Sequence, residues 1–593
     1  MIKLTETQKE ICKAKDKYII VRACPGSGKT FTVAAKMAQL LKDWPYSYQG
    51  VAVISFTNAA WEEIEKELKK SFYTNIPIKY PHFLGTIDSF INQFIFFPYG
   101  HLVINCKSRP VLAGEPAYPW KTKKNDGFHN QFFDKISYDI NGNLSKIKKI
   151  HVSLAIQSQY NYVKNMKNRL WRSGLFNQSD ANYFAMKIID NYPSIAKLIA
   201  LRFPFIIIDE AQDTSEIQMK IIDAITNSQL ENIMLVGDPD QAIFEWNSAN
   251  PDLFNEKCNQ DGWNCITMNE SLRSSQKICN FTHFLTKLKE PSTSINNDKN
   301  IVNFKFNPEI WEYNPNNNDF DDELINPFLK ICEENEITLT SSNIAILARS
   351  NNLIDEIILS RQDNIEISNL PSNTLDSVWI QENFTKELAK SKYLYDKSEF
   401  QKSFQLLEKT YISLLSNTPV YSDYKLSEII RKIGYFDFKN EIFNLIKLMP
   451  KTDVSIGKWI ERFNENLHKD GRFLNYIDLE IKKGYHDMAF DDLFSYNIID
   501  NEIPYNLSTI HKVKGETFEA VLLILKKGSA GPMYRTLLTN NKKTEDHEEL
   551  KNVYVGITRP RKILVLAVPS EDIDIWKQYF SKTAQTSLDN LFK

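Results

Sequence analysis

Apolar and polar positions change period several times along this chain. K-Y-I-I-V at 17–21 is a continuous apolar run of strand length, and F-T-V-A-A-K-M-A-Q-L-L at 31–41 repeats its apolar residues at helical spacing. V-A-V-I-S-F at 51–56 is a second apolar run, and N-A-A-W-E-E-I-E-K-E-L follows it as a helix with acids in its early turns. A short amphipathic helix, L-T-E-T-Q-K-E-I, comes before the first strand. Strands alternating with helices predict a parallel α/β sheet. In F-L-G-T-I-D-S-F-I-N-Q-F at 83–94, Gly85 and Thr86 read as a loop into a helix. F-P-F-I-I-I-D-E-A-Q-D at 203–213 is another buried strand ending in acids, with a helix over 217–225 and a strand at I-M-L-V-G after it. Residues 290–340 are rich in Asn, Asp and Glu and read as a loop region with solvated charge. N-I-A-I-L-A-R-S at 343–350 is a strand entering a helix, and 371–500 reads as helical. Two late stretches, S-T-I-H-K-V-K-G-E-T-F-E-A-V-L-L-I-L and N-V-Y-V-G-I-T-R-P-R-K-I-L-V-L-A-V, return to strands. The second begins as a helix whose end carries Arg559 and Arg561, with Pro560 marking that end. The last residues read as a short helix and a loose tail.

Composition narrows this picture. A chain of 593 residues with 42% hydrophobic and 25% charged residues has ample core and length for several domains. Its net charge of −2 gives no global signature of polyanion binding, so any nucleic-acid affinity must be local. Residues 101–172 are such a locality, with thirteen Lys and Arg against four acids and aromatic residues between them. Basic groups neutralise phosphates and aromatic faces stack bases, although most of these aromatics are expected in the segment's own core. The seven cysteines are scattered singly, without C-x-x-C or zinc spacing, which fits a reducing cytoplasm and no structural metal. No signal-peptide core and no bilayer-length apolar run is present, so no membrane partner is expected.

The candidate chemistry starts in the loop V-R-A-C-P-G-S-G-K-T at 21–30, between a strand and a helix. Gly26 and Gly28 allow backbone N–H groups to close around a phosphate at a helix N-terminus. Lys29 reaches outer phosphates and the Thr30 hydroxyl holds Mg²⁺ in such loops. Asp209 and Glu210, at the end of an apolar run, have the character of the second half of a nucleotide-hydrolysing site. Asp209 would hold Mg²⁺, and Glu210 would orient or deprotonate a water. Gln241 lies just past a strand, where it can sense a γ-phosphate, and Trp246 beyond it can stack on a base. Gln8 offers one donor and one acceptor, the pair that adenine needs. Phe56, Thr57 and Asn58 end a strand at the carboxyl edge, where doubly wound sheets bind ligands. An arginine in N-E-S-L-R-S-S at 269–275 can reach a phosphate across a cleft. A small-molecule kinase or GTPase would leave the late arginines and Trp246 without a role.

In this order, these stretches resemble the superfamily 1A helicases of the UvrD/Rep/PcrA type over nearly the whole chain. The resemblance implies two RecA-like parallel-sheet P-loop domains, each with a mostly helical inserted subdomain. The ATP-binding core 1A would take residues 1–98 and 203–267, and the basic subdomain 1B residues 99–202. Core 2A would take 268–370 and 501–593, and subdomain 2B 371–500. The family pattern assigns Ala23, Cys24, Pro25, Gly26, Ser27, Gly28, Lys29, Thr30 and Phe31 to the phosphate loop, Gln8 to adenine and Glu516 to the ribose. Asp209 and Glu210 become the metal and base pair, Gln241 the γ-phosphate sensor, and Arg273 and Arg559 the two arginines from the second core. Phe56, Thr57, Asn58, Thr86, Trp246 and His511 become contacts to the DNA strand. The implied work is ATP- and Mg²⁺-dependent movement along single-stranded or tailed DNA, 3′ to 5′.

The departures are specific. Leu272 stands where the family usually stacks Tyr or Phe on adenine. In Lys514-Gly515-Glu516-Thr517-Phe518 the ribose carboxylate comes one place early. Asn247-Ser248 follows the stacking Trp where Arg-Gly is frequent, Ala59 replaces a frequent Lys, and Asp88 a frequent His. The catalytic set is intact, and the strand-gripping set is thinned. No nuclease-type carboxylate cluster follows the last motif. Compact members of this kind include the helicase-like subunit of the Gabija phage-defence system, and G-T-I-D-S-F-I-N-Q-F-I-F-F-P-Y-G is similar to that subunit. That likeness implies a nuclease subunit of the Gabija type as partner. It also implies an alternative function: a sensor of DNA or nucleotides that activates the nuclease and does little unwinding of its own.

Overall fold

The computed structural model describes residues 4–42, 44–72, 78, 80–106, 110–112, 136–146, 154–172, 174–243, 250–296, 298–315, 319–360, 384–416, 435–470, 478–481, 484–494, 504–526 and 534–580. Contacts divide the chain into two compact units. One takes Met1–Val103, Asn182–Glu366 and Pro504–Lys593, and the other Ile104–Ala181 and Ile367–Ile503.

The first unit is built on two parallel sheets. The first sheet comprises β1 (Tyr18–Ala23), β2 (Val51–Ser55), β3 (Phe83–Thr86), β4 (Phe205–Ile208), β5 (Asn232–Gly237) and β6 (Asn264–Met268), in the order β6-β1-β5-β4-β2-β3. Every pairing is parallel. Helices cover such sheets on both faces, so strands lose the polar alternation of a half-buried sheet. All five residues of β2 and all six of β5 are buried accordingly. Helices α1 (Glu6–Lys13), α2 (Lys29–Lys42) and α3 (Asn58–Ser71) flank the sheet. Their apolar faces and the strands form one core that includes Ile11, Val21, Val33, Met37, Val53, Ile64 and Val236.

The second sheet comprises β7 (Glu309–Tyr313), β8 (Ile344–Ala348), β9 (Asn506–Thr509), β10 (Phe518–Ile524) and β11 (Pro560–Pro569), in the order β7-β11-β10-β8-β9, again all parallel. Helix α4 (Glu548–Ile557) packs on it, burying Leu550, Val553 and Ile557 with Leu523 and Leu564.

Four expectations are corrected. Gly85 and Thr86 belong to a strand and not to a loop, because Ala52, Val53, Ile54 and Ser55 of β2 pair with Phe83, Leu84, Gly85 and Thr86. Their partner lies about thirty residues away, so local turn chemistry alone points the wrong way. The Asn/Asp-rich region at 290–340 is not all loop. It contributes edge strand β7 and a helix, Asn326–Glu334, that buries Phe328 and Cys332. Tyr313 anchors that edge strand by donating its hydroxyl to the Leu525 carbonyl at 2.7 Å. Helix α4 ends at Ile557, before both arginines, and Pro560 opens β11. The cysteines are not all single. Cys258 ends the helix Pro251–Cys258, Cys265 lies in β6, and the short turn between them brings their Cα atoms to 5.3 Å, where they are disulfide-bonded.

In the second unit, helices Phe384–Asp396, Phe400–Ser416, Tyr435–Leu448 and Ile456–Asp470 pack around Trp459 and Phe463, in agreement with the helical reading of 371–500. Much of the basic segment lies outside the described residues. Within it, Lys167 is buried and paired with Asp180 at 2.5 Å, which withdraws it from any polyanion surface. Tyr138 and Trp171 pack on one another at 5.1 Å, as core residues do.

Candidate nucleotide site

A cleft of about 510 Å³ opens inside the first unit, between loops of the two sheets. Its floor is the loop between β1 and α2. Gly26 and Gly28 hold φ of +73° and +77°, a region costly for any residue with a Cβ. A Cβ on Gly26 would lie 2.5 Å from Arg273 Cβ, and one on Gly28 3.0 Å from Gln8 Nε2. Gly26 is therefore required by backbone conformation and by close approach, and Gly28 by backbone conformation. Gln8 is buried beneath the loop. Its Nε2 donates to the Ser27 carbonyl at 3.2 Å and its Oε1 accepts from Thr5 N–H at 3.1 Å, tying α1 to the loop. Phe31 lines the cleft from the first turn of α2, its ring 5.2 Å from that of Phe72.

Acids come from the ends of β4 and β5. Asp209 is fully buried and accepts from Thr30 Oγ1 at 3.2 Å and from Glu210 N–H at 3.0 Å. Glu210 holds φ of +54°, a strained conformation that aims its side chain back into the cleft. Its Oε1 is 3.9 Å from Lys29 Nζ. Burial raises the Glu210 carboxyl, but the Lys29 and Lys514 charges outweigh it and hold the group down at about 2. Burial and the Glu210 charge push Asp209 up to about 7. Burial would lower Lys29, yet Glu210, Asp238 and Asp209 together raise it. The cations beside Glu210 favour its carboxylate form, and Asp209 is a buried carboxylate short of positive charge.

That shortage is the fit test for a divalent cation. Among the described residues no group of three or more His, Cys, Asp or Glu could hold a metal ion. One hydroxyl and one carboxylate in contact, beside a phosphate cradle, instead form the sparse protein donor set that Mg²⁺ takes when phosphates complete its shell. Thr30 and Asp209 fit that requirement.

Besides Lys29, cations come from the segment 269–275 and from the turn after α4. The segment 269–275 is strapped to the loop by Leu272 N–H to the Gly26 carbonyl at 2.9 Å and Ser271 Oγ to the Pro25 carbonyl at 3.2 Å. Arg273 donates Nη1 to the Thr558 carbonyl at 3.0 Å. Burial, with Arg559 and Arg561 nearby, pushes its guanidinium well below the usual range. Arg559, at 1% exposure, donates Nε to the Val555 carbonyl at 2.9 Å and Nη2 to Gln241 Oε1 at 2.7 Å. Burial lowers it to about 10 against the pull of Glu210 and Asp238. Gln241 in turn donates to Asp238. Glu516 also lines the cleft, and its carbonyl accepts from Arg559 Nη1 at 3.5 Å.

The cleft therefore gathers Gly26, Ser27, Gly28, Lys29, Thr30, Phe31, Glu210, Gln241, Arg273, Arg559 and Glu516, and Phe56, Thr57 and His511 line it as well. Ala23, Cys24, Pro25 and Asp209 lie behind its lining. Asn58 and Thr86 are not among its lining residues. Asn58 accepts from Trp61 Nε1 at 3.2 Å, and Thr86 caps a helix by accepting from Ser89 N–H at 3.2 Å. Trp246, with Asn247 and Ser248, lies outside the described residues. Asp88 accepts from Gln218 Nε2 at 2.9 Å and Asn182 Nδ2 at 3.0 Å, so its carboxylate serves internal bonds. Burial and the Arg349 charge depress His511, favouring the neutral ring.

Four site residues escape a reading of the sequence: Gln212, Asp213, Asp238 and Lys514. Gln212 Nε2 bridges Glu210 Oε2 at 2.5 Å and Asp213 Oδ2 at 3.1 Å, while its Oε1 accepts from Asp238 N–H at 3.0 Å. Lys514 Nζ meets Asp213 Oδ2 at 2.6 Å. The polar residues crowded into D-E-A-Q-D and G-D-P-D-Q, each after an apolar strand, are the signal that points to the first three.

Comparison with known proteins agrees with this arrangement. A family model described as the UvrD/REP helicase N-terminal domain matches residues 4–113 and 116–261, and one described as the UvrD-like helicase C-terminal domain matches 488–571, together more than half of the chain. The Gabija protein GajB of Bacillus cereus (strain VD045) is 23% identical over 559 residues, 93% of each chain. The ATP-dependent DNA helicase Rep of Buchnera aphidicola subsp. Acyrthosiphon pisum is 24% identical, covering 95% of this chain and 94% of its own. A probable DNA helicase II homolog of Mycoplasma genitalium is 23% identical, covering 95% and 84%.

Proposed function

This chain belongs to the UvrD/Rep family of helicases, which are ATP-dependent hydrolases, and from that premise we propose that it is a DNA-stimulated ATPase that moves along single-stranded DNA, 3′ to 5′, and opens duplexes ahead of it. The observation that carries this reading is the meeting of a phosphate loop and two carboxylates with two arginines on one cleft. The division into cores 1A and 2A with insertions 1B and 2B belongs to the same proposal.

In this reading, Gly26, Gly28 and Lys29 hold the outer phosphates of ATP, and Thr30 and Asp209 hold Mg²⁺, which supplies positive charge against those phosphates. Glu210, ionised, takes the proton of the attacking water as ADP and phosphate separate. Arg273 and Arg559 stabilise the charge on the transferred group. Gln241, already bonded to Arg559, senses whether the γ-phosphate is present. Phe56, Thr57 and His511 line the same cleft, so closure around a nucleotide changes what a strand would meet at these residues.

The test is ATP hydrolysis by the purified chain with and without a single-stranded oligonucleotide. Stimulation of roughly tenfold or more is expected, and Lys29→Ala should abolish both rates. No stimulation, in a protein whose basal rate Lys29→Ala does abolish, sinks the translocase reading. Duplexes with 3′ or 5′ tails then decide polarity.

A second reading is favoured by one observation, the likeness to GajB across 93% of both chains. It makes the chain the DNA- or nucleotide-sensing ATPase of an anti-phage complex, activating a partner nuclease with little unwinding of its own. Robust unwinding of a 3′-tailed duplex by the chain alone counts against it.

A further inference from the structure

We propose that Lys514 is a positioning residue for hydrolysis, holding Glu210 in place from the opposite wall through Asp213 and Gln212. The inference rests on the ATPase reading above and concerns the same cleft.

The geometry is a continuous chain of polar contacts. Lys514 Nζ reaches Asp213 Oδ2 at 2.6 Å, Gln212 Nε2 donates to that same oxygen at 3.1 Å, and Gln212 Nε2 also donates to Glu210 Oε2 at 2.5 Å. Gln212 cannot swing away, because its Oε1 accepts from Asp238 N–H at 3.0 Å. Asp213 is 1% exposed, and its other oxygen, Oδ1, is buried without a hydrogen-bond partner among the described residues. A carboxylate so buried and half-satisfied depends on the cation beside it, since removing one partner of a buried pair strands the other. The cation comes from 301 residues further along the chain, on the turn between β9 and β10.

That turn gives the contact its consequence. It carries His511, Lys512, Lys514 and Glu516, all of which face the cleft. Gly515 in the same turn holds φ of +96°, so the backbone there is bent by a conformation that other residues resist. Whatever draws this turn toward the first wall carries Lys514 onto Asp213 and so sets Gln212 against Glu210. Whatever pulls it back leaves Asp213 as an uncompensated buried anion next to the base. Glu210 is then aimed only when the second wall is in place.

The experiment measures kcat and KM for ATP with Mg²⁺, with and without oligo-dT, for four variants of the full chain. Lys514→Ala should lower kcat roughly tenfold or more while KM for ATP stays within about threefold, the split expected of a group that does not touch the nucleotide. Lys514→Arg should keep most of the rate. Asp213→Asn combined with Lys514→Ala should recover most of the loss, because the stranded anion is gone and Gln212 still holds Glu210. Thermal melting of each variant shows whether it is folded. A double variant as slow as Lys514→Ala, or a Lys514→Ala protein that melts early yet keeps its kcat, overturns the proposal. Lys29→Ala is the control for the underlying reading. If it fails to stop hydrolysis, the ATPase reading falls. If it stops hydrolysis and Lys514→Ala changes nothing, this inference falls alone.

Discussion

The two sheets of the first unit share one topology class and bring opposite charges to the same cleft. Loops after the strands of the first sheet present Asp209, Glu210, Asp213 and Asp238, loops of the second sheet present Arg559 and Lys514, and the segment 269–275 between the two sheets presents Arg273. Each cluster is strained by itself. Asp209, Asp213 and Asp238 are all pushed upward, first by burial, and Arg273 and Arg559 are both pushed downward for the same reason. The contacts across the cleft, Gln241 with Arg559 and Asp213 with Lys514, relieve the two sets together. The contrast teaches that a parallel sheet by itself is no catalyst. The first sheet has the cradle, Lys29 and the base without a guanidinium for a phosphoryl transition state, and the second brings Arg559 and Lys514 without a cradle.

The strongest way to break this comparison is to remove a cation from the second side. Arg559→Ala should lower kcat by roughly 10³-fold or more, as loss of an arginine finger does, with nucleotide binding largely retained. Single-turnover hydrolysis beside a direct measurement of ATP binding checks it. A variant with near-normal kcat would show that the first sheet is sufficient. Removing the base from the first side comes next. Glu210→Gln should cost roughly 10²- to 10⁴-fold in rate and still allow ATP binding, since Lys29 and the loop remain.

The residues of the first side are also the most legible ones in the sequence. Lys29, Thr30, Asp209 and Glu210 sit in short stretches whose chemistry is local: a glycine loop between strand and helix, and acids at the end of an apolar run. Arg273 reads from its own stretch only as an arginine able to reach a phosphate, and the roles of Arg273 and Arg559 in one site are reached through family resemblance, because nothing within ten residues of either says what it faces. The pairing of Lys514 with Asp213 escapes the sequence, since the partners are 301 positions apart and nothing local to either names the other. The fold follows the same division. Strands β1, β2, β4 and β5 declare themselves as apolar runs, but β3, with Gly85 in it, and β7, among Asn and Asp, exist because a neighbouring strand supplies the pairing. Asp88 shows the converse error of judging a charge by type, as its carboxylate is engaged by Gln218 and Asn182.

A smaller effect tests how closely the two sides meet. Gly26→Ala places a methyl 2.5 Å from Arg273 Cβ and forces Ala into φ of +73°. Strain of this kind costs about 1–3 kcal/mol, so ATP affinity should fall roughly ten- to hundredfold, with a lower Tm. Titration calorimetry and thermal melting read both. A tolerated substitution would mean that the segment carrying Arg273 gives way easily, and that the cleft is looser than its contacts indicate.

The smallest expected effect concerns Leu272, where the segment 269–275 lacks the ring usual in the family. Leu272 reaches toward the loop, its Cδ1 3.4 Å from where a Gly28 Cβ would lie, and its N–H is fixed to the Gly26 carbonyl at 2.9 Å. A leucine offers a base apolar contact but no π face. The ring that lines the cleft next to the loop is instead Phe31, on the first side. Base selection then rests on stacking and apolar contact, which accept any base, and on Gln8, whose carboxamide already serves Thr5 and Ser27. GTP and CTP should therefore support hydrolysis nearly as well as ATP. Leu272→Tyr should tighten KM for ATP by about fivefold, a modest share of the roughly 1–3 kcal/mol that stacking on an aromatic ring contributes. Phe31→Leu should weaken all nucleotides alike. A steep preference for ATP in the unaltered protein would place discrimination on Gln8 and return Leu272 to a packing role.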